Sequence, residues 1–98
     1  MDGAISIGRN IGNAPMDDNR WKRFIYEIEG AVLLAGGKVY ATATGEGEWE
    51  GVAEDNAVVT FGNVREIAAL KGHLRFLAQD FDQDAIALVL GQSELVGA

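Results

Sequence analysis

Two segments of the chain have an apolar residue at every third or fourth position. Each of these two segments lies between segments in which apolar and polar residues alternate. The repeats run from Trp21 to Ala35 and from Ile67 to Phe81. A period near 3.6 residues is typical of a helix with one buried face, and a period of two is typical of a half-buried strand. The sequence therefore predicts the element order β-α-β-β-α-β, with strands over residues 4–8, 38–44, 57–61 and 85–90.

This element order predicts an α+β domain of the ferredoxin-like kind, in which two helices cover one face of a four-stranded antiparallel sheet. Right-handed crossovers favour the strand order 4-1-3-2, counted over these four strands. The 98 residues, of which 48% are hydrophobic, are enough for one domain with its own core. We expect a single domain over residues 1–98, with a loose tail over about 91–98.

The two predicted helices carry different signals at their ends. Asp17 is the predicted N-cap of the first helix, and Gly36 with Gly37 is its predicted C-terminal stop. Asn63, followed three residues later by Glu66, has the form of a capping box. This pair predicts the start of the second helix.

Alternation within the strands separates a sheet face under the helices from a face without cover. The covered face is predicted to hold Ile5, Ile7, Val39, Val59, Phe61, Ile86, Leu88 and Leu90. The uncovered face is predicted to hold Ser6, Tyr40, Thr42, Thr44, Val58, Thr60, Ala87 and Val89. On the helices, Tyr26, Leu33 and Phe76 lie opposite the apolar stripes. We expect a homodimer through the helix patch or through the bare sheet face, because both leave apolar area in water.

Three predicted loops meet at one end of this topology and form the best candidate for a binding site. They are residues 8–13, a long acidic hairpin loop over residues 45–56, and the turn over residues 81–84. The candidate ligand-binding residues at this end are Arg9, Asn10, Asn13, Trp49 and Glu54.

Two of these residues have alternative interpretations. Arg9 can bind a carboxylate or phosphate of a ligand, or it can form an ion pair with Glu48, Glu50 or Glu54. Trp49 can stack on a flat ligand or partner, or it can cover the edge of the core.

The residues predict no catalytic, metal or cofactor site. The chain has no cysteine, and its one histidine, His73, has no serine or second histidine placed to complete a catalytic set. Asp80, Asp82 and Asp84 have the spacing of the first ligands of a calcium loop. The glycine and the glutamate that such a loop needs further along are missing from their positions, so a solvated turn is the favoured interpretation.

The charge and the hydropathy of the chain exclude some partners. With a net charge of −7 and no basic stripe, we expect no nucleic-acid partner. The longest apolar stretches, residues 31–35 and 85–90, are too short to span a bilayer. The segment Met1–Ala4 has no basic region followed by an apolar run, as a signal peptide would. We therefore expect a cytoplasmic protein without a membrane partner.

Several short motifs resemble those of small uncharacterised proteins of actinobacteria and their phages. The motifs are Gly8-Arg9-Asn10, Pro15, Trp21 with Phe24, Gly47-x-Trp49-x-Gly51 with Glu54, and Gln83-Asp84-Ala85-Ile86-Ala87. The resemblance implies a ferredoxin-like fold and a phage accessory or anti-defence role in the host cytoplasm. It implies no catalytic residue.

From the sequence we expect a non-enzymatic small binding protein that sequesters a small polar, nucleotide-like ligand at the end with Arg9 and Trp49. A second interpretation is a protein–protein inhibitor or decoy that uses the acidic hairpin or the helix face against a host protein. A third is a small ferredoxin-like enzyme, which ranks last because no acid–base set is visible.

Overall fold

A computed structural model describes residues 1–92 and 94–97. Over this part of the chain it has six strands and two helices. In chain order they are β1 (Asp2–Gly8), β2 (Asn10–Ile11), β3 (Ala14–Pro15), α1 (Asp18–Leu34), β4 (Lys38–Trp49), β5 (Val52–Gly62), α2 (Ile67–Asp80) and β6 (Ala87–Gly91).

Four of the strands form one antiparallel sheet, in the order β4-β5-β1-β6. The expected order 4-1-3-2 numbers only the four predicted strands. The labels β1 to β6 also count β2 and β3, which pair with each other in a separate sheet, so the two orders use different numbers for the same strands. The predicted α+β class, with two helices and a four-stranded antiparallel sheet, is confirmed.

The core lies between one face of the sheet and the two helices. Ile5, Val59 and Phe61 of the sheet are fully buried, as is Phe24 of α1. Phe24 stacks on Phe81, which follows α2, with ring centroids 4.5 Å apart. The other buried hydrophobic residues are Ile7, Met16, Trp21, Ile28, Ala31, Val32, Ala35, Ala57, Val64, Leu70, Leu74 and Leu77. Both helical repeats of the sequence therefore point into a single core.

A β-bulge in β4 changes which of its residues face the helices. The register with β5 shifts between Val39 and Ala41, so one extra residue enters β4 there. After the shift, Thr42 pairs with the buried Val59, and its Oγ1 donates a hydrogen bond of 2.6 Å to Glu29 of α1. The prediction that Thr42 and Thr44 lie on the uncovered face is therefore wrong. Strict alternation fails because a bulge places two consecutive residues on one face.

The first helix begins and ends as predicted. The Asp17 carboxylate accepts a hydrogen bond of 2.8 Å from the backbone N–H of Arg20, which satisfies one of the unpaired donors of the first turn. At the other end Gly36 has φ +80°, and the N–H groups of Gly36 and Gly37 donate to Leu33 and Val32. This pair of bonds is a Schellman motif.

The second helix does not begin as predicted. The helix starts at Ile67, Glu66 occupies the N-cap position, and no side chain caps it. Asn63 has φ +60°, and its N–H donates to Asp2 instead of helping to start the helix. The N–H groups of Arg65 and Glu66 are satisfied by the carbonyl of Ala35 at the end of α1. The capping box is thus replaced by tertiary backbone contacts.

Two predicted loops contain strands. The segment over residues 45–56 is a continuous hairpin whose turn is only Glu50 and Gly51, with φ of +51° and +80°. Positive φ at both central residues is the geometry that matches the twist of a two-residue hairpin. In residues 8–13, β2 begins a second, shorter hairpin that turns at Gly12. At the C-terminal end, β6 extends to Gly91, and residues 92 and 94–97 lie in neither helix nor strand.

Candidate functional site

The hairpin of β4 and β5 extends beyond the end of β1 and forms one wall of a cleft. Pairing between β1 and β5 ends at Gly8 with Asn56. Residues 45–56, named the tip hairpin below, continue past that point. The chain after β1 stays attached to the tip hairpin through a hydrogen bond of 2.9 Å from the N–H of Arg9 to the carbonyl of Asp55.

Glu54 is fixed in the tip hairpin by its neighbours. Its Oε2 accepts a hydrogen bond of 2.8 Å from the N–H of Asn10, and the Asn10 side chain donates to the carbonyl of Ala53 at 3.1 Å. The carboxylate lies against Gly8, where an added Cβ would collide with Oε1. The absence of a side chain at Gly8 therefore allows the carboxylate to lie flat on the uncovered face.

A cleft of about 560 Å³ opens beside this carboxylate, between the tip hairpin, the turn of the β2–β3 hairpin and residues 82–85. Gln83 connects two of these walls, because its Nε2 donates to the carbonyl of Asn10 at 3.0 Å. The lining residues are Ser6, Ile7, Gly8, Asn10, Gly12, Asn13, Glu48, Trp49, Glu50, Val52, Glu54, Asn56, Asp82, Gln83, Asp84, Ala85 and Ala87.

The charge of this lining has one sign. Among the lining residues that the structure describes, five are acidic and none is basic. The acidic residues are Glu48, Glu50, Glu54, Asp82 and Asp84. Carboxylates gathered around a concave surface attract cations, because low-dielectric walls focus their field.

Trp49 supplies the largest apolar surface of the cleft. Its side chain is 53% exposed, and it pairs across the hairpin with Val52, which also lines the cleft. Residues paired across two strands project from the same face of a sheet, so both lie on the uncovered face together with Glu54. An exposed indole beside carboxylates can hold a cationic group over its ring.

Arg9 does not line the cleft. Its side chain, which is only 18% exposed, donates to the carboxylate of Asp18 at 2.7 Å, to the carbonyl of Met16 at 2.8 Å and to Asp55 at 3.4 Å. These partners lie at the start of α1 and in β5. Arg9 therefore connects the tip hairpin to the helix layer, and its carboxylate partners differ from the three glutamates that the sequence suggested.

The structure brings together four of the five predicted ligand residues, namely Asn10, Asn13, Trp49 and Glu54. Sequence reasoning missed Ser6, Asn56 and Gln83 as lining residues. One signal could have found Asn56: once residues 45–56 are treated as paired strands, positions 52, 54 and 56 share a face. Gln83 lies in the turn over residues 81–84, which the sequence placed at this end, but its hydrogen bond to the carbonyl of Asn10 has no signal in the sequence.

Two aspartates at the C-terminal end of α2 form ion pairs with α1. Arg20 forms an ion pair of 3.0 Å with Asp82, and Arg23 approaches Asp80 at 3.9 Å. Within residues 1–92 and 94–97, no group of three or more histidine, aspartate or glutamate side chains is arranged to hold a metal ion. His73 contacts Phe76 edge to face, with centroids 6.4 Å apart.

The residues of the predicted interface are exposed. Tyr26, Leu33 and Phe76 are 72%, 61% and 61% exposed. On the bare sheet face, Val89 is exposed and Val58 is half-buried. Dimerisation through either surface stays a prediction. In the described part of the chain, neither helix has the length and the apolar composition needed to cross a membrane.

Comparison with known proteins gives no relative from which a function could be transferred: no family model matches the chain, and no curated protein is significantly similar to it.

Proposed function

We propose that the protein is a non-enzymatic binding protein whose cleft holds a small polar ligand with a positive charge. The observation that carries this proposal is the charge of the lining: five of the described lining residues are acidic, none is basic, and of the five only Asp82 is ion-paired in the described part of the chain. A cation that enters such a cleft meets attraction from several sides.

Glu54 is the proposed anchor for the charged group. One of its oxygens is already bonded to the backbone of Asn10, which holds the carboxylate in place before a ligand arrives. A preorganised acceptor loses less side-chain entropy on binding than a mobile one. Charge-assisted hydrogen bonds from an ammonium or guanidinium group are stronger than neutral ones.

Trp49 is the proposed platform for the rest of the ligand. Its ring is half-exposed at the mouth of the cleft, where a flat group can stack or a cation can lie over the ring. A cation–π contact contributes about 0.5–2 kcal/mol, depending on how far the pair is removed from water.

A nucleotide-like ligand fits this cleft less well than a cation. Its phosphate would lie among carboxylates, and Arg9, the base that the sequence suggested as its partner, is bonded to Asp18 and Asp55 outside the cleft. We therefore narrow the expected small polar ligand to an amine or a guanidinium compound. In the accessory or anti-defence role implied by the resemblance, the protein would sequester such a compound.

Thermal-shift and fluorescence titrations with three probes test the proposal. Tyramine combines a ring with an ammonium group, agmatine carries two cationic groups, and AMP carries a phosphate. We expect the two cations to raise the melting temperature and to change the fluorescence of Trp49, since a ligand that binds only the folded state stabilises it by mass action. AMP should do neither.

Two cleft variants and one control make the test specific. Trp49→Ala and Glu54→Gln should each weaken binding of tyramine, whereas Glu66→Gln, an exposed change at the start of α2, should leave it unchanged. Binding of AMP with no effect of the two cations would refute the cationic ligand and restore the nucleotide-like one. No response to any probe would reject this cleft chemistry.

We also infer that the fold belongs to the ferredoxin-like class. Support comes from the sheet order: counted along the chain without β2 and β3, the four strands lie in the order 4-1-3-2. An experimental structure with a different neighbour for β1 would reject this assignment.

A further inference from the structure

The strand β4 is long, lies at an edge of the sheet and has a strand on only one side over the part of the chain that is described. It has 12 residues, which at about 3.3 Å per residue correspond to about 40 Å, a length comparable to the 38 Å of the longest dimension of the molecule. The opposite edge strand, β6, has only five residues. An edge strand presents a row of unpaired N–H and C=O groups to which another extended chain can bind.

Most of the devices that protect natural sheet edges are missing from the outer part of β4. Proteins protect edges with proline, lysine, bulges, very short strands or a covering element. In β4 the bulge and the only lysine, Lys38, lie at the start, and from Ala41 to Trp49 the strand is in continuous register with β5. What remains in this part is acidic charge.

The acidic residues of β4 favour a basic partner. Glu46 and Glu48 are both exposed and share one face of the strand, and their side chains make no hydrogen bond or ion pair within residues 1–92 and 94–97. The sequence has no lysine or arginine between Lys38 and Arg65. Like charges opposite one another in a sheet are destabilising and opposite charges are stabilising. With a net charge of −7, a second copy of this chain is a poor occupant of the edge, and a basic strand is a good one.

We propose that the outer edge of β4, from Ala41 to Trp49, binds an extended lysine- or arginine-rich segment of another protein as an additional strand. Backbone hydrogen bonds along the edge supply affinity, and alternate basic side chains opposite Glu46 and Glu48 supply specificity. Glu48 and Trp49 belong both to this edge and to the lining of the cleft. The anchor of the cleft is distinct from the edge, because Glu54 lies on β5 and projects from the face of the hairpin opposite Glu46 and Glu48.

The test uses three capped nine-residue peptides and the ¹⁵N-labelled protein. The first peptide alternates lysine and valine, the second has glutamate in place of lysine, and the third is the lysine peptide with every internal backbone nitrogen methylated. The third keeps all charges and side chains but cannot donate backbone hydrogen bonds. We expect the lysine peptide to shift the amide signals of residues 41–49 and to slow their hydrogen exchange, and the methylated peptide to bind at least about tenfold more weakly.

Charge-reversal variants separate the edge from general attraction to an acidic protein. Each opposite-charge pair across strands corresponds to about a two- to fivefold change in affinity. Glu46→Lys with Glu48→Lys should therefore weaken binding of the lysine peptide about 4- to 25-fold. The matched control, Glu66→Lys with Glu94→Lys, changes the net charge equally at exposed positions outside β4 and should change affinity less than about twofold.

Three results would overturn the proposal. They are equal affinity for the methylated and the unmethylated lysine peptide, shifts confined to Asn10, Glu54 and Gln83 of the cleft, and no binding of the lysine peptide at millimolar concentration. Glu54→Gln distinguishes this proposal from the cleft proposal, because it should weaken binding of tyramine and leave binding of the lysine peptide unchanged.

Discussion

The base and the tip of the β4–β5 hairpin are made of the same two strands but are stabilised by different interactions. In the base, residues 57, 59 and 61 of β5 are buried under the helices. In the tip hairpin, no residue is buried. The tip is stabilised by its turn, by cross-strand pairing and by the bonds from Arg9 and Asn10.

This difference indicates which side chains can be removed with little loss of stability. The side chains of the base that face the helices pack in the core, and their removal leaves cavities. Side chains in the tip contact solvent, so they are available for binding, and their removal costs little stability. Function in a small domain concentrates on such surfaces, which a rigid scaffold positions.

The largest effect is expected from truncation in the base. Phe61→Ala should lower the free energy of unfolding by about 3–5 kcal/mol, because Phe61 is 1% exposed and its loss leaves a cavity in the core. Urea denaturation measures the change. Phe76→Ala removes an exposed ring of the same size and should cost less than about 1 kcal/mol. Equal losses in the two variants would contradict the assignment of the core.

Arg9 tests the connection between the tip hairpin and the helix layer. Arg9→Ala should cost about 1–2 kcal/mol, because it removes charge-assisted hydrogen bonds to Asp18 and to the carbonyl of Met16 from a side chain that is largely shielded from water. The control is Lys22→Ala, an exposed basic residue of α1 with no ion pair in the described part of the chain, which should cost less than about 0.5 kcal/mol. If Arg9→Ala leaves the melting temperature unchanged and abolishes binding of tyramine, Arg9 is a ligand residue after all.

A single added methyl group should destabilise the turn of the tip hairpin. Gly51→Ala should cost about 1 kcal/mol, because Gly51 has φ +80° and a side chain is strained there. Gly72→Ala makes the same chemical change inside α2, at a position with open space around it, and should gain about 0.5–1 kcal/mol. A loss at Gly72 or a gain at Gly51, measured by chemical denaturation, would contradict these backbone conformations.

The two tryptophans compare the core with the tip hairpin. Trp49→Ala should change stability by less than about 0.5 kcal/mol, since the ring is half-exposed in the tip hairpin. Trp21→Ala, in α1, should cost about 3–5 kcal/mol because Trp21 is buried. A large loss of stability in Trp49→Ala would mean that Trp49 covers the core edge, which is the alternative that the sequence left open.

The surfaces predicted for self-association lie outside the tip hairpin. We expect sedimentation velocity to show a homodimer, because both the helix patch and the bare sheet face leave apolar side chains in water. Phe76→Asp should give a monomer if the helix patch is the interface, and Val58→Asp should do so if the sheet face is. A monomer of the unchanged protein at high concentration would rule out both interfaces.

The sequence by itself determined the parts of the fold that local periodicity encodes. Both helical repeats, the four long strands, the N-cap Asp17 and the stop at Gly36 were all predictable, because each depends on residues within a few positions of one another. The same reasoning found most of the cleft. Antiparallel strands bring their connecting loops to one end, so Asn10, Trp49 and Glu54 were expected together.

Only the tertiary structure decided the details that depend on contacts between distant residues. The bulge that turns Thr42 toward Glu29 has no local signature, and Asn63 lost its capping role because Ala35 and Asp2, remote in sequence, satisfy the backbone groups there. Arg9 illustrates the same principle at the candidate site. The sequence predicted that Arg9 is a charged residue in a loop, but it did not predict the partners of Arg9. Ion pairs form between side chains that tertiary packing brings close together, and these side chains can be far apart in the chain.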